Sequence, residues 1–130
     1  MHKRYTVCYL FDPKKEYVLL IKKPHTDPKW NGVGGALNDG ETPYACAIRK
    51  IEEDTGIKED GLQLCTKTQR LSLITSMTLP EDCKTGGKDT CELYFFAGQL
   101  NDIGHQMLNP NTETRVVFRP VKTVMETPPN

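Results

Sequence analysis

Between Glu41 and Asp54 the chain gathers three carboxylates and two cations at spacings that let them act together: Glu41, Arg49, Lys50, Glu53 and Asp54. Thr42-Pro43 is a helix entry, with a hydroxyl at the cap and proline at the first helical position. Gly56 supplies the stop, so a helix is expected over Pro43–Thr55. Each helical residue turns the direction by about 100°. Lys50, Glu53 and Asp54 then share a face, with Cys46 one turn above them. Tyr44, Ala47, Ile48 and Ile51 form the opposite, buried face, and Glu52 points about 160° away from Lys50, toward that side. Clustered carboxylate oxygens suit a hard cation such as Mg²⁺ or Mn²⁺, whose shell is completed by the phosphates of a substrate. Glu41, in the loop feeding the helix, is placed to reach the same cation. Arg49 reads as a structural partner for one of these carboxylates, because its fork holds a carboxylate through two hydrogen bonds. Taken by itself, the Glu53-Asp54 pair also fits a solvated helix face paired with Arg49 and Lys50.

Residues 30–37 precede this helix and contain Gly32, Gly34 and Gly35, with Gly40 close behind. Glycines in such a run let the backbone approach a ligand or a neighbouring segment closely. Upstream, residues 5–11 and 17–21 are rich in β-formers and flank the turn chemistry of Asp12-Pro13-Lys14-Lys15, which reads as a hairpin. Residues 23–28, polar and with two prolines, read as a loop. Downstream, strands are expected over 62–66, 71–78, 91–100 and 115–121. Residues 81–89 read as an exposed loop, residues 101–114 as a long loop, and residues 127–130 as a frayed end.

The chain has 130 residues, enough for one domain over 1–130. Hydrophobic residues are 37% and charged residues 26%, a balance that fits a folded globular chain and argues against disorder. Seventeen basic and seventeen acidic residues cancel, so no overall field points to nucleic acid or an anionic membrane. Lys14, Lys15, Lys22, Lys23 and Lys29 cluster locally and read as a solvated surface. No apolar run approaches the roughly 20 residues of a membrane span, and Met1-His2-Lys3-Arg4-Tyr5 leads straight into strand-like residues without a signal-peptide core. Cys8, Cys46, Cys65, Cys83 and Cys91 have no Cys-x-x-Cys spacing. They are expected to be reduced, mostly core residues of a cytoplasmic protein.

The stretch from Gly35 to Ile57 resembles the Nudix box: Gly, five residues, Glu, seven residues, Arg-Glu, an aliphatic, one residue, Glu-Glu, one residue, Gly and an aliphatic. Gly35, Glu41, Arg49, Ile51, Glu53, Gly56 and Ile57 match in register. Lys50 stands where the family has Glu, and Asp54 stands where it has the second Glu of the pair. The resemblance implies an α/β (α+β) fold, the Nudix αβα sandwich with a mixed sheet and the loop-helix. It also implies Mg²⁺ (or Mn²⁺), with Glu53, Asp54 and Glu41 as metal ligands. Catalytic candidates are Glu53, Arg49, Lys50 and Glu113, the last at the place where MutT-like members carry a further carboxylate able to complete the metal shell or act as general base.

Trp30-Asn31-Gly32-Val33-Gly34-Gly35 is similar to the Trp-Asn-Gly-x-Gly-Gly run of the mammalian oxidised-purine nucleoside triphosphatases. By that resemblance Asn31 would read a base edge with its amide, and Lys22, Gly34 and Gly35 join it as substrate-binding candidates. Trp30 reads as a packing residue.

Lys50 is the departure with the largest physical consequence. The family's Glu here is a metal ligand or helps set up the attacking water, and one unit of charge a few ångströms away is worth on the order of 4 kcal/mol at an effective dielectric near 20. The expected activity is metal-dependent hydrolysis of the phosphoanhydride bond of a nucleoside triphosphate or other nucleoside diphosphate derivative. The alternative is a Nudix-fold module that binds the nucleotide without cleaving it. Small-molecule nucleotide is the expected partner, and a homodimer is left open.

Overall fold

A computed structural model describes residues 2–23, 27–80, 90–109 and 114–122. The chain runs β1 (His2–Phe11), β2 (Tyr17–Lys23), β3 (Asp27–Asn31), β4 (Val33–Ala36), α1 (Pro43–Thr55), a 3₁₀ turn (Glu59–Gly61), β5 (Leu71–Pro80), β6 (Thr90–Gln99), α2 (Asp102–Met107) and β7 (Arg115–Pro120). The strands form one sheet in the order β3-β2-β1-β6-β5, with β4 also paired to β1 and β7 to β2. β1 runs parallel to β6, from His2 opposite Thr90 to Phe11 opposite Gln99, and the other pairings are antiparallel. The sheet is therefore mixed and the fold α+β, as expected.

Two features of β1 position the site. Its early residues pair with β4, Tyr5 opposite Ala36 through Cys8 opposite Val33. Its last two pair with β2, Leu10 opposite Leu19 and Phe11 opposite Val18. The strand thus carries two partners in succession along one edge, and β4 delivers the chain directly into the loop before α1. Close approach is built in here: a side chain at Gly34 would collide with the backbone carbonyl of Thr6.

Thr42 caps α1, its hydroxyl accepting from the Ala45 N–H at 3.1 Å, and Pro43 follows at the first position. Gly56 ends the helix at φ 81°, in the left-handed region, donating to the Glu52 carbonyl at 2.9 Å. Ala47 and Ile51 pack with Cys8, Leu10, Leu19, Ile21, Val33, Ile57, Leu62 and Phe96 in one core, which Met107 and Leu108 also reach from the end of α2 and just beyond.

Several expectations are corrected. Residues 62–66 do not form a strand: only Leu62 pairs, in a single bridge to Leu100, while Gln63 to Thr66 are exposed and the Cys65 and Thr66 N–H groups turn back to the Gln69 carbonyl. Leu62 alone has a place in the core, and after the Gln63 N–H, which donates to the Gln99 carbonyl at 2.7 Å, no further backbone bond to β6 follows among the described residues. Residues 101–114 are not loop throughout, because α2 forms over Asp102–Met107 where the Asn101 side chain accepts from the Gly104 N–H at 2.8 Å. Within 23–28, Asp27 and Pro28 belong to β3. Of the cysteines, Cys8 and Cys46 are buried, Cys91 is half-buried and Cys65 is exposed. The expectations for 81–89, Glu113, Cys83 and 127–130 fall outside the described residues. Among the described residues no helix is long and apolar enough to cross a membrane.

Candidate active site

The site begins with the turn that joins β4 to α1. The Leu37 N–H donates to the Arg4 carbonyl at 2.9 Å, and the Glu41 N–H to the Asn38 carbonyl at 3.0 Å. This tight turn brings Glu41 back over the start of the helix. There its carboxylate meets Arg49 in the two-pronged pairing anticipated from the arginine fork: Nε to Oε2 at 2.8 Å and Nη2 to Oε1 at 3.0 Å. The Asn38 N–H adds a third bond to Glu41 Oε1 at 3.0 Å. The hydrogen bonds from Arg49 and then from Asn38 hold the Glu41 carboxyl down at about 2.

Arg49 does more than grip Glu41. Its Nη2 donates to the Ala36 carbonyl at 3.0 Å, and its Nη1 to Glu53 at 3.0 Å (Oε2) and 3.3 Å (Oε1). One guanidinium therefore ties the last residue of β4, the loop and the next turn of the helix into a single arrangement. The carboxylates around it push its own pKa up. Cys46 sits behind this network, its thiol 3.4 Å from the Thr6 hydroxyl and 3.5 Å from the Ala36 carbonyl, and burial pushes its pKa up.

Lys50 lies one residue further on, with Nζ 3.2 Å from Glu53 Oε2. Its methylenes run across Gly35: a Cβ built on that glycine would stand 2.6 Å from Lys50 Cε and 3.0 Å from Cδ. Glu53 thus receives both cations on an exposed carboxylate. Burial pushes the Glu53 carboxyl up, and the bond and charge of Lys50, with Arg49 behind, outweigh that and hold it below the ordinary range.

Asp54 and Glu52 depart from the expected helix faces. Asp54 is buried, 3% exposed, whereas Glu52 is exposed. Ala47, Ile51, Asp54 and Thr55 fall at i, i+4, i+7 and i+8 and form the stripe that faces the core, so Asp54 goes inward with it. Thr55 fixes that end by donating to the Ile51 carbonyl at 2.6 Å.

Of the sequence candidates, Glu41, Arg49, Lys50, Glu53 and Gly35 come together. Gly34 is the neighbouring position on β4. Lys22 and Asn31 lie on β2 and β3. Lys22 Nζ stands 5.8 Å from the centre of the Trp30 ring, and the Arg119 guanidinium is at the same distance, which makes Trp30 a packing platform for two cations. Three contributors went unassigned in the sequence: the Ala36 carbonyl, the Asn38 N–H and the Cys46 thiol. The first two are backbone groups with no signature of their own. The thiol was visible only as a residue one turn above Lys50.

The donor chemistry can be tested against a divalent cation. Oxygen ligands are the right kind for Mg²⁺ or Mn²⁺. Yet Glu41 is committed to Arg49, Glu53 already carries two cations and Asp54 is buried. Among the described residues no three His, Cys, Asp or Glu side chains are grouped to hold a metal ion. The arrangement fits a cation that arrives with its phosphates and takes one exposed carboxylate from the protein, Glu53, and does not fit an all-protein metal cage.

The NUDIX domain model matches residues 1–128 of this chain. The chain therefore belongs to the Nudix family. The fold is also that of a solved structure, the Ap4A hydrolase of C. elegans, with a TM-score of 0.66 at 16% identity over 97% of this chain and 86% of that one. At that identity the likeness is one of fold.

Proposed function

We propose that this protein is a Nudix hydrolase that cleaves a phosphoanhydride bond in a nucleoside triphosphate or another nucleoside diphosphate derivative, with Mg²⁺ or Mn²⁺ bound alongside the phosphates. The observation that carries this reading is the orientation of Glu53. Among Glu41, Glu53 and Asp54 it is the exposed carboxylate, and its direction is fixed by Arg49, which is itself held by Glu41 and the Ala36 carbonyl. The Ap4A hydrolase, a structural neighbour, makes dinucleoside polyphosphates a natural addition to the substrate panel.

In this reading Glu53 is the protein's ligand to the cation, with Asp54 beneath it on the helix and Glu41 as the residue that keeps Arg49 in place. A bound cation would supply charge neutralisation on the phosphates and a more acidic water. Arg49 acts as a positioning residue. Lys50 offers a positive charge beside Glu53, and Gly34 and Gly35 are proposed as substrate contacts through their backbone. Water attacks one phosphorus and the bond from that phosphorus to the bridging oxygen breaks; a triphosphate yields a nucleotide with phosphate or pyrophosphate, and another diphosphate derivative a nucleotide with the phosphorylated second group. Glu113 is proposed as the base that takes the proton from this water, Asn31 as the residue that reads the base, and Lys22 as a further phosphate contact. Proximity and charge stabilisation carry most of the rate.

A second reading, binding without cleavage, is favoured by one observation, the 3.2 Å ion pair between Lys50 and Glu53. Release of phosphate or pyrophosphate from nucleoside triphosphates, and of mononucleotides from Ap4A, with Mg²⁺ or Mn²⁺, separates the two. Turnover by the wild type that Glu53→Gln lowers by about a hundredfold or more, the scale on which a positioned catalytic group acts, supports the hydrolase. No wild-type turnover, with activity emerging in Lys50→Glu, replaces it with the binding module.

A further inference from the structure

Arg49 is committed to Glu41, Glu53 and the Ala36 carbonyl; the second positive charge at this corner belongs to Lys50, and its surroundings say what it is for. Its methylenes lie across Gly35 in space that any other residue at 35 would fill, with Cε, Cδ and Nζ at 2.6, 3.0 and 3.3 Å from the position of a Cβ there. The side chain is only 18% exposed, more cover than lysine usually has. The ammonium is thus placed by packing against backbone rather than left to wander. It has three donors, and its pairing with Glu53 uses one of them.

The carboxylates that would otherwise draw in cations are already answered. Glu41 is held at two points by Arg49. Glu53 Oε2 accepts from Arg49 at 3.0 Å and from Lys50 at 3.2 Å. A divalent ion approaching that oxygen meets two cations in position, whereas a phosphate oxygen meets an ammonium of which Glu53 uses one donor.

We propose that Lys50 is a built-in phosphate cation: it binds the diphosphate of a nucleoside diphosphate directly, so that this site takes up nucleotide without metal and a divalent ion is needed only for cleavage. The proposal rests on the reading that the corner receives phosphates, and it concerns binding alone. A phosphate that docks here takes up donors that the Lys50–Glu53 pair leaves over, forming charge-assisted bonds of the same kind.

The test is calorimetric titration of ADP, and separately of inorganic pyrophosphate, into the full chain in EDTA and then in Mg²⁺. Wild type is expected to bind ADP in EDTA, Lys50→Gln to bind about tenfold or more weakly there, and Lys50→Arg to keep most of the affinity. Lys50→Glu is expected to lose ADP binding in EDTA. It should instead bind more Mn²⁺ than wild type in the absence of nucleotide, read as the loss of the free-ion EPR signal. Wild-type binding that disappears in EDTA overturns the proposal, as does Lys50→Gln binding in EDTA as tightly as wild type. If Lys50→Gln does not fold, the pair of wild type and Lys50→Arg in EDTA against Mg²⁺ still decides it. Binding in EDTA without turnover on any substrate sinks the hydrolase reading and leaves this one standing. Turnover with binding that needs metal does the reverse.

Discussion

At the corner where β4 meets α1, polar groups are matched one to another at short range: Glu41 to Arg49 and Asn38, Arg49 to Ala36 and Glu53, Glu53 to Lys50. At the outer edge of the sheet, β5 runs for ten residues, Leu71–Pro80, without one charged side chain, and among the described residues it pairs only with β6. Leu73, Ile74, Met77 and Leu79 are exposed there. The first region spends charged residues to fix a backbone and aim a carboxylate. The second leaves apolar residues in water and carries an irregularity in register between Leu73 and Thr75, one of the features that keep an edge strand from templating another chain. Changes at the corner are therefore expected to propagate through backbone contacts, and changes at the edge to stay local.

The sharpest way to break the contrast is within the corner, at two adjacent glycines. A Cβ at Gly34 meets the Thr6 carbonyl and, at 3.1 Å, Val7 Cα, all backbone that cannot step aside. A Cβ at Gly35 meets the flexible end of Lys50 instead. Gly34→Ala is expected to cost about 3 kcal/mol, at the upper end of overpacking. Gly35→Ala should stay within about 1 kcal/mol of wild type, because the loss of unfolded-state freedom offsets a displaced lysine rotamer. Urea denaturation of both variants measures the difference. Equally small costs would mean that β4 and β1 can part without penalty, and equally large ones that Lys50 cannot step aside from Gly35.

Acid is the next lever. The Glu41 carboxyl sits at about 2 in the folded chain against an ordinary value of 4.5. A carboxyl depressed on folding contributes stability that is complete above about 4.5 and is lost as the pH falls toward about 2. Stability should therefore decline across that window, and Glu41→Gln should flatten the decline, in denaturation midpoints recorded at successive pH values. An unchanged slope in Glu41→Gln would move the acid sensitivity elsewhere and weaken the case that this pair holds the loop to the helix.

How much of this was readable from residues alone depended on whether the cause was local. The bounds of α1 were legible because Thr42, Pro43 and Gly56 each carry their own conformational preference. The Glu41–Arg49 pairing was half legible, since the fork geometry announces a carboxylate partner without saying which. The burial of Asp54 is legible in the spacing of Ala47 and Ile51, which outweighs the tendency of a carboxylate to stay in water. α2 had its cap in Asn101, but its six residues, Asp102–Met107, include Gly104 and leave too short a pattern to register. The path of the Lys50 methylenes over Gly35 had no local sign, because it depends on how closely β4 approaches α1.

The smallest expected effect tests the other side of the contrast. Ile74 is 59% exposed and lies at the break in register between β5 and β6. A lysine there removes little buried surface and adds a charge to an edge that has none. Ile74→Lys should change folding stability by no more than about 0.5 kcal/mol. It should also reduce association of the heated protein, which light scattering follows. Unchanged scattering would mean that the break in register already protects this edge. A loss of stability above about 2 kcal/mol would be the more instructive result. Exposed side chains do not cost that much to replace, so Ile74 would have to be covered in solution, and the edge at β5 would be a packed surface held as firmly as the corner.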